Sequence, residues 1–383
     1  MNEQRYLDAA AKMQLLHLGD SAGVVYWQPA GLRLYENLRS YIRKVHVLHG
    51  YQEVKSPSLV GMQEFERSGH LAKYREGMFL ANQFNEGGEL DLAGYALRPM
   101  SCPNHIRLYA SSRRSYRELP LALFEFGEVF RNEPSGSLQV LFRQRQFCQD
   151  DSHVFVREQQ VQQGVQAYLS LALQVYKALG FDDVEVAISL RPSLRFGSDV
   201  LWDRAEEALR QACRQSGIAW KEQPAGGAFY GPKIELGVRD KLGRLWQMGV
   251  VQLDYVLPER FELQYVNEEG LFERPVLLHH AVLGSLERMI GVLLEAFGVN
   301  LPQELHPYPL ALVPVSEKHL EFAREVGAAL RARGQHCDVD QNNEPLGAKV
   351  RRWRSRGARN VVAIGDVELG QGSAAEFAER CLV

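Results

Sequence analysis

The stretch RNEPSGSLQVLFRQRQFCQDDSHVF, residues 131–155, contains three arginines and two adjacent aspartates in a segment whose apolar residues suit the interior of a sheet. With the apolar run ALFEFGEVF before it, this stretch predicts a strand, a turn over residues 133–136 and a returning strand. Arg131 and Arg143 are then expected on neighbouring antiparallel strands, where both guanidinium groups can reach one phosphate chain. The same arginines can instead form surface ion pairs with nearby glutamates, and the pattern alone leaves both interpretations open.

Length and composition set the outer limits of the prediction. The chain has 383 residues, of which 45% are hydrophobic, and a formal net charge of -3. A chain of this length exceeds what one hydrophobic core usually organises, so two domains are expected. The charge argues against binding nucleic acid through bulk charge, so any polyanion must meet a local basic site. Five widely spaced cysteines and the lack of a signal-like or membrane-spanning apolar run predict a cytoplasmic protein.

Apolar periodicity divides the chain into two regions. Up to residue 303, runs such as VEVAISL, KIELGVR and WQMGVVQLDY predict a largely antiparallel sheet with helices packed beside it. The stretch LPQELHPYP, residues 301–309, interrupts all periodicity and is the predicted linker. Beyond it, strand and helix patterns alternate, which predicts a small α/β domain with a partly parallel sheet. The expected fold class is therefore α+β, with one domain over residues 1–303 and a second over residues 309–383.

Six motifs that occur in the same order as in the class II aminoacyl-tRNA synthetases support a more specific prediction. RPMSCPNH, RNEPSG, QDDSHVF, AFYGPKIE, WQMGVVQLDY and HHAVLGSLERMIG together resemble the threonyl-tRNA synthetase family, and the resemblance extends from about Val25 to Asp366. It implies a catalytic domain with motifs 1, 2 and 3, built on an antiparallel sheet flanked by helices, and an anticodon-binding-like domain truncated at its C-terminus. It also implies a short form, without the amino-terminal editing domains of the family.

The resemblance implies a ligase that uses ATP to convert threonine to threonyl adenylate and then transfers the threonyl group to tRNA(Thr). The expected partners are ATP with Mg2+, threonine and tRNA, and the proline of motif 1, Pro57, implies a homodimer. Two alternatives stay open. One is a paralogue that loads threonine or a related amino acid onto a non-tRNA acceptor such as a carrier protein, and the other is a catalytically idle sensor of threonine or tRNA.

Adenylate formation requires cations, because the threonine carboxylate must attack the α-phosphorus of ATP and both groups are anionic. The resemblance implies a nucleotide-binding set composed of Arg131, Glu133, Arg143, Phe147, Gln247 and Arg288. Of these, Arg131 and Arg288 are also implied to be catalytic, together with Lys233 and His70. For His70 the resemblance implies that it takes a proton from the ribose hydroxyl at the end of the tRNA, a role that suits histidine because it titrates near neutrality.

A thiol and two imidazoles form the predicted metal site. Cys102, His153 and His279 each lie near the end of a predicted strand, but their spacing alone does not separate a metal site from buried core residues. The resemblance implies that they bind one Zn2+ per chain and leave a fourth position open for the amino group and hydroxyl of threonine. It also implies that the amino acid is bound by Met100, Gln149, Asp151, Tyr230 and Gln252.

Two further predictions concern the histidines next to the metal ligands and the tRNA contacts of the second domain. His105 is expected to support the loop around Cys102 rather than to bind metal. Only one of His279 and His280 can be a ligand, because adjacent strand residues point to opposite faces. In the second domain, the resemblance implies tRNA contacts at Asn343, Arg351 and Glu368.

Overall fold

The computed structural model describes residues 5–84, 87–88, 90–240 and 242–381. The described residues form two compact units. The first unit comprises the described parts of residues 1–17, 26–38 and 293–383, and the second comprises those of residues 18–25 and 39–292. The domain limits predicted from the sequence, 1–303 and 309–383, stay a prediction, and their outer ends at Met1 and Val383 lie outside the described residues.

Helices and strands occur along the whole described chain. The α-helices are α1 Arg5–Lys12, α2 Pro29–Leu48, α3 Met62–Ser68, α4 His70–Tyr74, α5 Cys102–Ala110, α6 Val161–Ala178, α7 Asp199–Gln215, α8 Val256–Arg260, α9 Leu286–Phe297, α10 Leu320–Ala332, α11 Leu346–Ser355, α12 Asp366–Leu369 and α13 Ala374–Arg380. The strands are β1 Leu16–Leu18, β2 Val25–Trp27, β3 Gln52–Glu53, β4 Leu59–Gly61, β5 Phe79–Phe84, β6 Leu90–Leu97, β7 Leu121–Phe130, β8 Gln146–Val156, β9 Val184–Ser189, β10 Lys221–Gln223, β11 Lys233–Arg239, β12 Leu245–Asp254, β13 Tyr265–Val266, β14 Phe272–Glu273, β15 Val276–Ala281, β16 Leu310–Pro314, β17 Asp338–Val339 and β18 Asn360–Ile364. None of the helices described here has both the length and the apolar character needed to cross a bilayer.

An eight-stranded sheet forms the centre of the second unit, in the order β10-β9-β11-β12-β15-β8-β7-β3. The inner strands, from β9 to β7, pair antiparallel with one another, whereas β10 and β3 at the edges run parallel to their neighbours. The prediction of a largely antiparallel sheet is therefore confirmed. The central strand β15, with the sequence VLLHHA, is buried at every position, as expected for a strand covered on both faces.

The strands β7 and β8 form the predicted antiparallel pair, with Phe130 opposite Gln146 at the end that the connecting loop joins. The prediction that Arg131 and Arg143 lie on the strands themselves was wrong, because β7 ends at Phe130 and β8 begins at Gln146. The connection is too long for a tight hairpin turn, and Pro134 within it lacks an N–H and cannot extend the ladder of hydrogen bonds. Both arginines therefore belong to the loop at this end of the sheet.

The long helix α6 covers the centre of this sheet. Its apolar side chains recur at helical spacing and are buried. Tyr168 OH donates to Ala281 O at 3.1 Å, and Tyr176 OH donates to Val282 O at 2.6 Å. These bonds satisfy two carbonyl groups at the end of β15 and hold the segment that leads into α9.

The helix α5 packs against β8 through aromatic stacking. Its residues Ile106 and Tyr109 are buried, and the ring of Tyr109 stacks on Phe155 of β8 with the ring centroids 4.3 Å apart. This contact is worth roughly 0.5–1.5 kcal/mol beyond the apolar area that it buries. It fixes α5, whose first residue is Cys102, relative to β8.

The first unit contains a three-stranded parallel sheet, in the order β17-β16-β18. Its hydrophobic core includes Leu312 of β16, Val326 of α10 and Phe377 of α13. Trp353 of α11 donates to Asp340 Oδ2 at 2.7 Å, so a buried carboxylate joins this helix to the end of β17. The alternation of strands and helices confirms the predicted small α/β domain.

Replacement of Phe155 by alanine is expected to lower the free energy of unfolding by about 3–5 kcal/mol, because it leaves a cavity beneath α5. Phe155 is 0% exposed, whereas Phe272 is 58% exposed. Phe272→Ala is the matched control and should cost at most about 1 kcal/mol. Chemical denaturation of the full chain measures both, and equal effects of the two substitutions would show that Phe155 does not belong to the core.

Candidate active site

Cys102, His153 and His279 converge at one buried point of the second unit. Cys102 is the first residue of α5, and not the end of a strand as predicted, while His153 and His279 lie directly opposite each other on β8 and β15. One ligand atom from each side chain lies within 4.8 Å of the other two, and His153 Nε2 is 3.0 Å from His279 Nδ1. His280 has a different partner, since its Nε2 lies 2.8 Å from the hydroxyl of Tyr51. The three residues implied by the resemblance are therefore adjacent in space.

The side chains of this cluster suit a metal ion. His279 Nε2 donates to Asp254 Oδ2 at 2.8 Å, so Nδ1 of the neutral ring keeps its lone pair and faces His153. Burial raises the pKa of the Cys102 thiol well above its ordinary value, a cost that a cation bound to the thiolate would offset. A thiolate and two neutral imidazoles fit a divalent ion such as Zn2+ and leave a fourth position for substrate.

A cavity of about 240 Å³ is formed by β8, β11, β12 and the loops that follow β7 and β15. All the residues predicted to bind the nucleotide line it: Arg131, Glu133, Arg143, Phe147, Gln247 and Arg288. Lys233 and Gln149 line the same cavity, and Gln149 Nε2 donates to Gly284 O at 3.1 Å. The structure thus brings together residues that are up to 157 positions apart in the sequence, from Arg131 to Arg288.

Three guanidinium groups surround this cavity. Arg288 donates to Phe142 O from Nε at 3.2 Å and from Nη2 at 2.9 Å. Within the described part of the chain, neither Arg288 nor Arg131 pairs with a carboxylate, whereas Arg143 Nε lies 3.5 Å from Glu133 Oε2. Burial lowers the pKa of Arg288, and the nearby Arg143 and Arg131 lower it further. Of the arginines for which the sequence also allowed a surface ion pair, only Arg143 forms one among the described residues. An anionic ligand would reduce the repulsion among the three guanidinium groups.

Glu235 of β11 was not predicted, yet it connects two of the predicted residues. Its carboxylate accepts from Lys233 Nζ at 2.7 Å and from Gln247 Nε2, and Ser189 Oγ also donates to it. Lys233 and Glu235 are two residues apart on one strand and therefore share a face. That spacing in the motif KIE is the signal that could have identified Glu235. The carboxylate positions both side chains along the wall of the cavity.

Three of the five residues predicted to bind the amino acid lie close to the cluster of Cys102, His153 and His279. The ring of Tyr230 lies 5.2 Å from the ring of His279, centroid to centroid, and Gln252 is the cross-strand partner of His279. Burial is the main cause of the raised pKa of the Cys102 thiol, and the charge of the nearby Asp151 raises it further. A phenol, an amide and a carboxylate therefore face one region next to the metal cluster.

His70 lies at the start of α4 and contacts Met100, another residue predicted to bind substrate. Its Nδ1 lies 2.7 Å from Ser68 Oγ, and its Nε2 lies 3.2 Å from Met100 Sδ. Burial lowers the pKa of His70 to about 3, with smaller contributions from His279 and Arg131, so the imidazole is neutral. A neutral imidazole has a lone pair for a proton, but one with so low a pKa is a weak base.

The residues predicted to contact tRNA lie in the first unit. Asn343, before α11, and Arg351, within it, are both exposed. Glu368 lies in α12, and its Oε2 accepts from the backbone N–H of Gly365 at 2.8 Å. Two of the three side chains therefore face solvent, while the third also caps a short helix.

Comparison with known proteins identifies the family. The chain matches the tRNA synthetase class II core domain (G, H, P, S and T) over residues 89–297 and the anticodon binding domain over residues 310–376. It is 42% identical over 362 residues to the threonine–tRNA ligase of Alkalilimnicola ehrlichii, a match that covers 94% of this chain and 55% of that protein. The threonine–tRNA ligase of Dechloromonas aromatica is 42% identical over 359 residues, with the same coverage of 94% and 55%. The chain spans about half the length of the curated relatives it matches.

Solved structures share the fold. The RNA binding domain of threonyl-tRNA synthetase from Cryptosporidium parvum aligns with a TM-score of 0.88 and 36% identity, covering 95% of this chain and 90% of that one. A putative threonyl-tRNA synthetase from Aeropyrum pernix aligns with a TM-score of 0.81 and 29% identity, covering 98% and 93%. The chain belongs to the class II tRNA synthetases of the G, H, P, S and T group. The relatives named here are threonine–tRNA ligases and threonyl-tRNA synthetases, as the motifs predicted.

Asp150 fixes the turn between β15 and α9. Its Oδ2 accepts from Val282 N at 2.8 Å, and its Oδ1 accepts from Leu283 N at 3.0 Å. Burial raises the pKa of Asp150 from 3.8 to about 7, although the two N–H groups favour the charged form. The folded protein therefore keeps a proton on this carboxyl over a pH range in which the unfolded chain has released it.

The free energy of unfolding of the wild type is expected to fall relative to that of Asp150→Asn as the pH rises from about 4 to about 7. The reason is that ionisation of the buried carboxyl costs about 1.4 kcal/mol for each unit by which its pKa is raised. Denaturation midpoints across this range measure the difference, and Asp20→Asn, at an exposed position, is the control that should keep the wild-type dependence. Parallel curves for the wild type and Asp150→Asn would contradict the raised pKa.

Proposed function

We propose that this chain activates threonine with ATP and transfers the threonyl group to tRNA. In the first step a carboxylate oxygen of threonine bonds to the α-phosphorus of ATP and pyrophosphate leaves. In the second step a terminal ribose hydroxyl of tRNA attacks the carbonyl carbon, and AMP leaves as the proton passes to a base. The main support is that β12 contributes to both parts of the site: Gln247 and Val250 line the cation-rich cavity, and Gln252 is the cross-strand partner of His279.

The phosphates of ATP are expected to lie between Arg131 and Arg288. Negative charge develops on the non-bridging oxygens in the transition state, and guanidinium groups already held by backbone carbonyls stabilise it without reorganising. Arg131 Cζ lies 5.0 Å from the centroid of the Phe147 ring, which offers an apolar face for adenine. Glu133 would accept from the adenine amino group and Arg143 would reach the γ-phosphate, with Mg2+ accompanying the nucleotide.

Cys102, His153 and His279 are proposed to hold one Zn2+. An ion held there would supply open coordination positions, which the amino group and the hydroxyl of threonine could fill and a methyl group could not. Asp151 would accept a hydrogen bond from the same hydroxyl, and Tyr230 would close the pocket. Valine would leave the Asp151 carboxylate without that donor, which disfavours its binding.

His70 is proposed to receive the proton of the ribose hydroxyl in the transfer step. Ser68 Oγ donates to Phe65 O at 3.3 Å and can therefore accept from His70 Nδ1–H. The lone pair of His70 then lies on Nε2, on the side of Met100. Because burial keeps the pKa of His70 low, the ring is neutral and this lone pair is available at neutral pH.

The same proposal extends to the whole chain. Residues 1–303 would form the catalytic domain and residues 309–383 the anticodon-binding domain, an assignment supported by the family matches at 89–297 and 310–376. The anticodon would be contacted by Asn343, Arg351 and Glu368. By analogy with the family we also expect a cytoplasmic homodimer that pairs around the loop containing Pro57.

Incubation of the protein with ATP, labelled threonine and total tRNA tests the proposed function. We expect threonine-dependent pyrophosphate exchange and label esterified to tRNA. A wild type that supports no exchange would overturn the activation step, and label found on protein or only as free adenylate would overturn the transfer step. Arg131→Ala should lower exchange by about 100-fold or more, because it removes a donor to the transition state. Arg354→Ala, at an exposed position of α11, is the control and should leave exchange unchanged.

Elemental analysis tests the metal site directly. The dialysed wild type is expected to contain one zinc per chain, and Cys102→Ser should contain much less, because a hydroxyl is a far poorer zinc ligand than a thiolate. Cys213→Ser is the matched control, since Cys213 is also a fully buried cysteine but lies on α7 and outside the cluster. A zinc-free wild type from zinc-supplemented cells, or full zinc in Cys102→Ser, would contradict the assignment.

A further inference from the structure

Two buried side chains lie in series behind His153. His153 Nδ1, the nitrogen that does not face His279, lies 2.8 Å from His105 Nδ1. On the other side of that ring, His105 Nε2 lies 3.3 Å from Glu125 Oε1, slightly beyond the usual range for an N–H···O bond. His105 is 0% exposed and Glu125 is 2% exposed. His105 therefore connects an imidazole of the metal site to a carboxylate, which is more than the loop support expected from the sequence.

Glu125 is held in place and kept ionised by its other neighbours. Its Oε1 accepts from Arg98 Nη1 and from Ser56 Oγ, both at 2.7 Å, and its Oε2 accepts from Ser56 N at 3.0 Å. Burial raises the pKa of Glu125, but His105, Arg98 and Ser56 outweigh burial and lower it to about 2. At neutral pH this carboxylate can therefore only accept hydrogen bonds.

The negative charge of Glu125, 3.3 Å from His105 Nε2, favours one arrangement of the protons on the two imidazoles. Facing Glu125, His105 carries its proton on Nε2 and presents the lone pair of Nδ1 to His153. His153 then carries its proton on Nδ1, so its Nε2 keeps the lone pair that faces His279. In the opposite arrangement His153 Nε2 would carry the proton and could not bind a metal ion. The identity of the group beyond His105 thus decides which arrangement is adopted.

We propose that Glu125 and His105 are positioning residues that hold His153 in its metal-binding tautomer. The inference rests on the metal site of the proposed function and adds to it two residues that touch neither the metal nor substrate. His279 is oriented directly by Asp254, at 2.8 Å, whereas His153 is oriented through a second imidazole. Loss of the acceptor at His105 should therefore weaken metal binding although every ligand is still present.

Substitution of His105 tests this role, with Zn2+ itself as the probe. In His105→Leu the acceptor is lost, and the zinc affinity measured by competition with a chelator should fall by about 10- to 100-fold. His105→Asn keeps a carboxamide oxygen near the position of Nδ1 and should restore most of the affinity. His46→Leu is the matched control, because His46 is also a fully buried imidazole, stacked on Phe124, and lies outside the metal cluster. Its zinc affinity should equal that of the wild type.

The visible spectrum of Co2+ bound in place of zinc gives a second readout, which a merely structural role would not change. We expect an altered spectrum for His105→Leu and the wild-type spectrum for His105→Asn and for His46→Leu. If His105→Leu does not fold, His105→Gln carries the same expectation, since its carboxamide reaches towards Glu125 and not towards His153.

The outcomes separate this inference from the metal site on which it rests. A wild type without stoichiometric zinc would overturn the metal site and the positioning role together. Stoichiometric zinc in the wild type, with unchanged affinity and an unchanged Co2+ spectrum in His105→Leu, would overturn the positioning role alone. An equal loss of affinity in His105→Leu and His105→Asn would assign the effect to ring packing and would likewise overturn it.

Discussion

The antiparallel register between β8 and β15 is the constraint on which the rest of the site depends. It sets His153 directly opposite His279, and opposite residues on neighbouring strands project to the same face of a sheet. A slip of one residue would send the two imidazoles to opposite faces. From another position of β8, Asp150 reaches the backbone N–H of Val282 beyond the end of β15. One register therefore organises both the metal cluster and the turn that leads to Arg288.

The cost of burying polar groups explains why the buried His279 and Glu125 each have a close polar partner. An imidazole or carboxylate that loses its water must gain a partner, or it destabilises the folded chain. Asp254 is that partner for His279, and His105 is that partner for His153, with the Glu125 carboxylate 3.3 Å beyond His105 Nε2. The same contacts that offset desolvation also orient the rings, so stability and the geometry of the proposed metal site depend on the same contacts.

The two parts of the proposed active site have opposite electrostatic character. The cavity is surrounded by arginines such as Arg131 and Arg288, which hydrogen-bond to backbone carbonyls and are suited to an anionic ligand. The cluster of Cys102, His153 and His279 lies beside the carboxylates of Asp151 and Asp254, which suit a cation and the amino group of an amino acid. A reaction that joins an amino acid to a nucleotide needs both environments side by side, and β12 contributes to each.

Local patterns in the sequence sufficed for the fold class and for the set of motifs, because strand periodicity and short motifs depend on residues close together in the chain. With the resemblance to class II synthetases, they also selected three side chains, Cys102, His153 and His279, that lie together in the structure. They wrongly placed Arg131 and Arg143 on strands. A strand ends where its pairing with the neighbouring strand ends, and the extent of that pairing cannot be read from local sequence. The contacts of Glu235 with Lys233 and Gln247, and of Glu125 with His105, follow from sheet register and from the docking of α5. Tertiary packing determines such contacts, because they join residues that no periodicity relates.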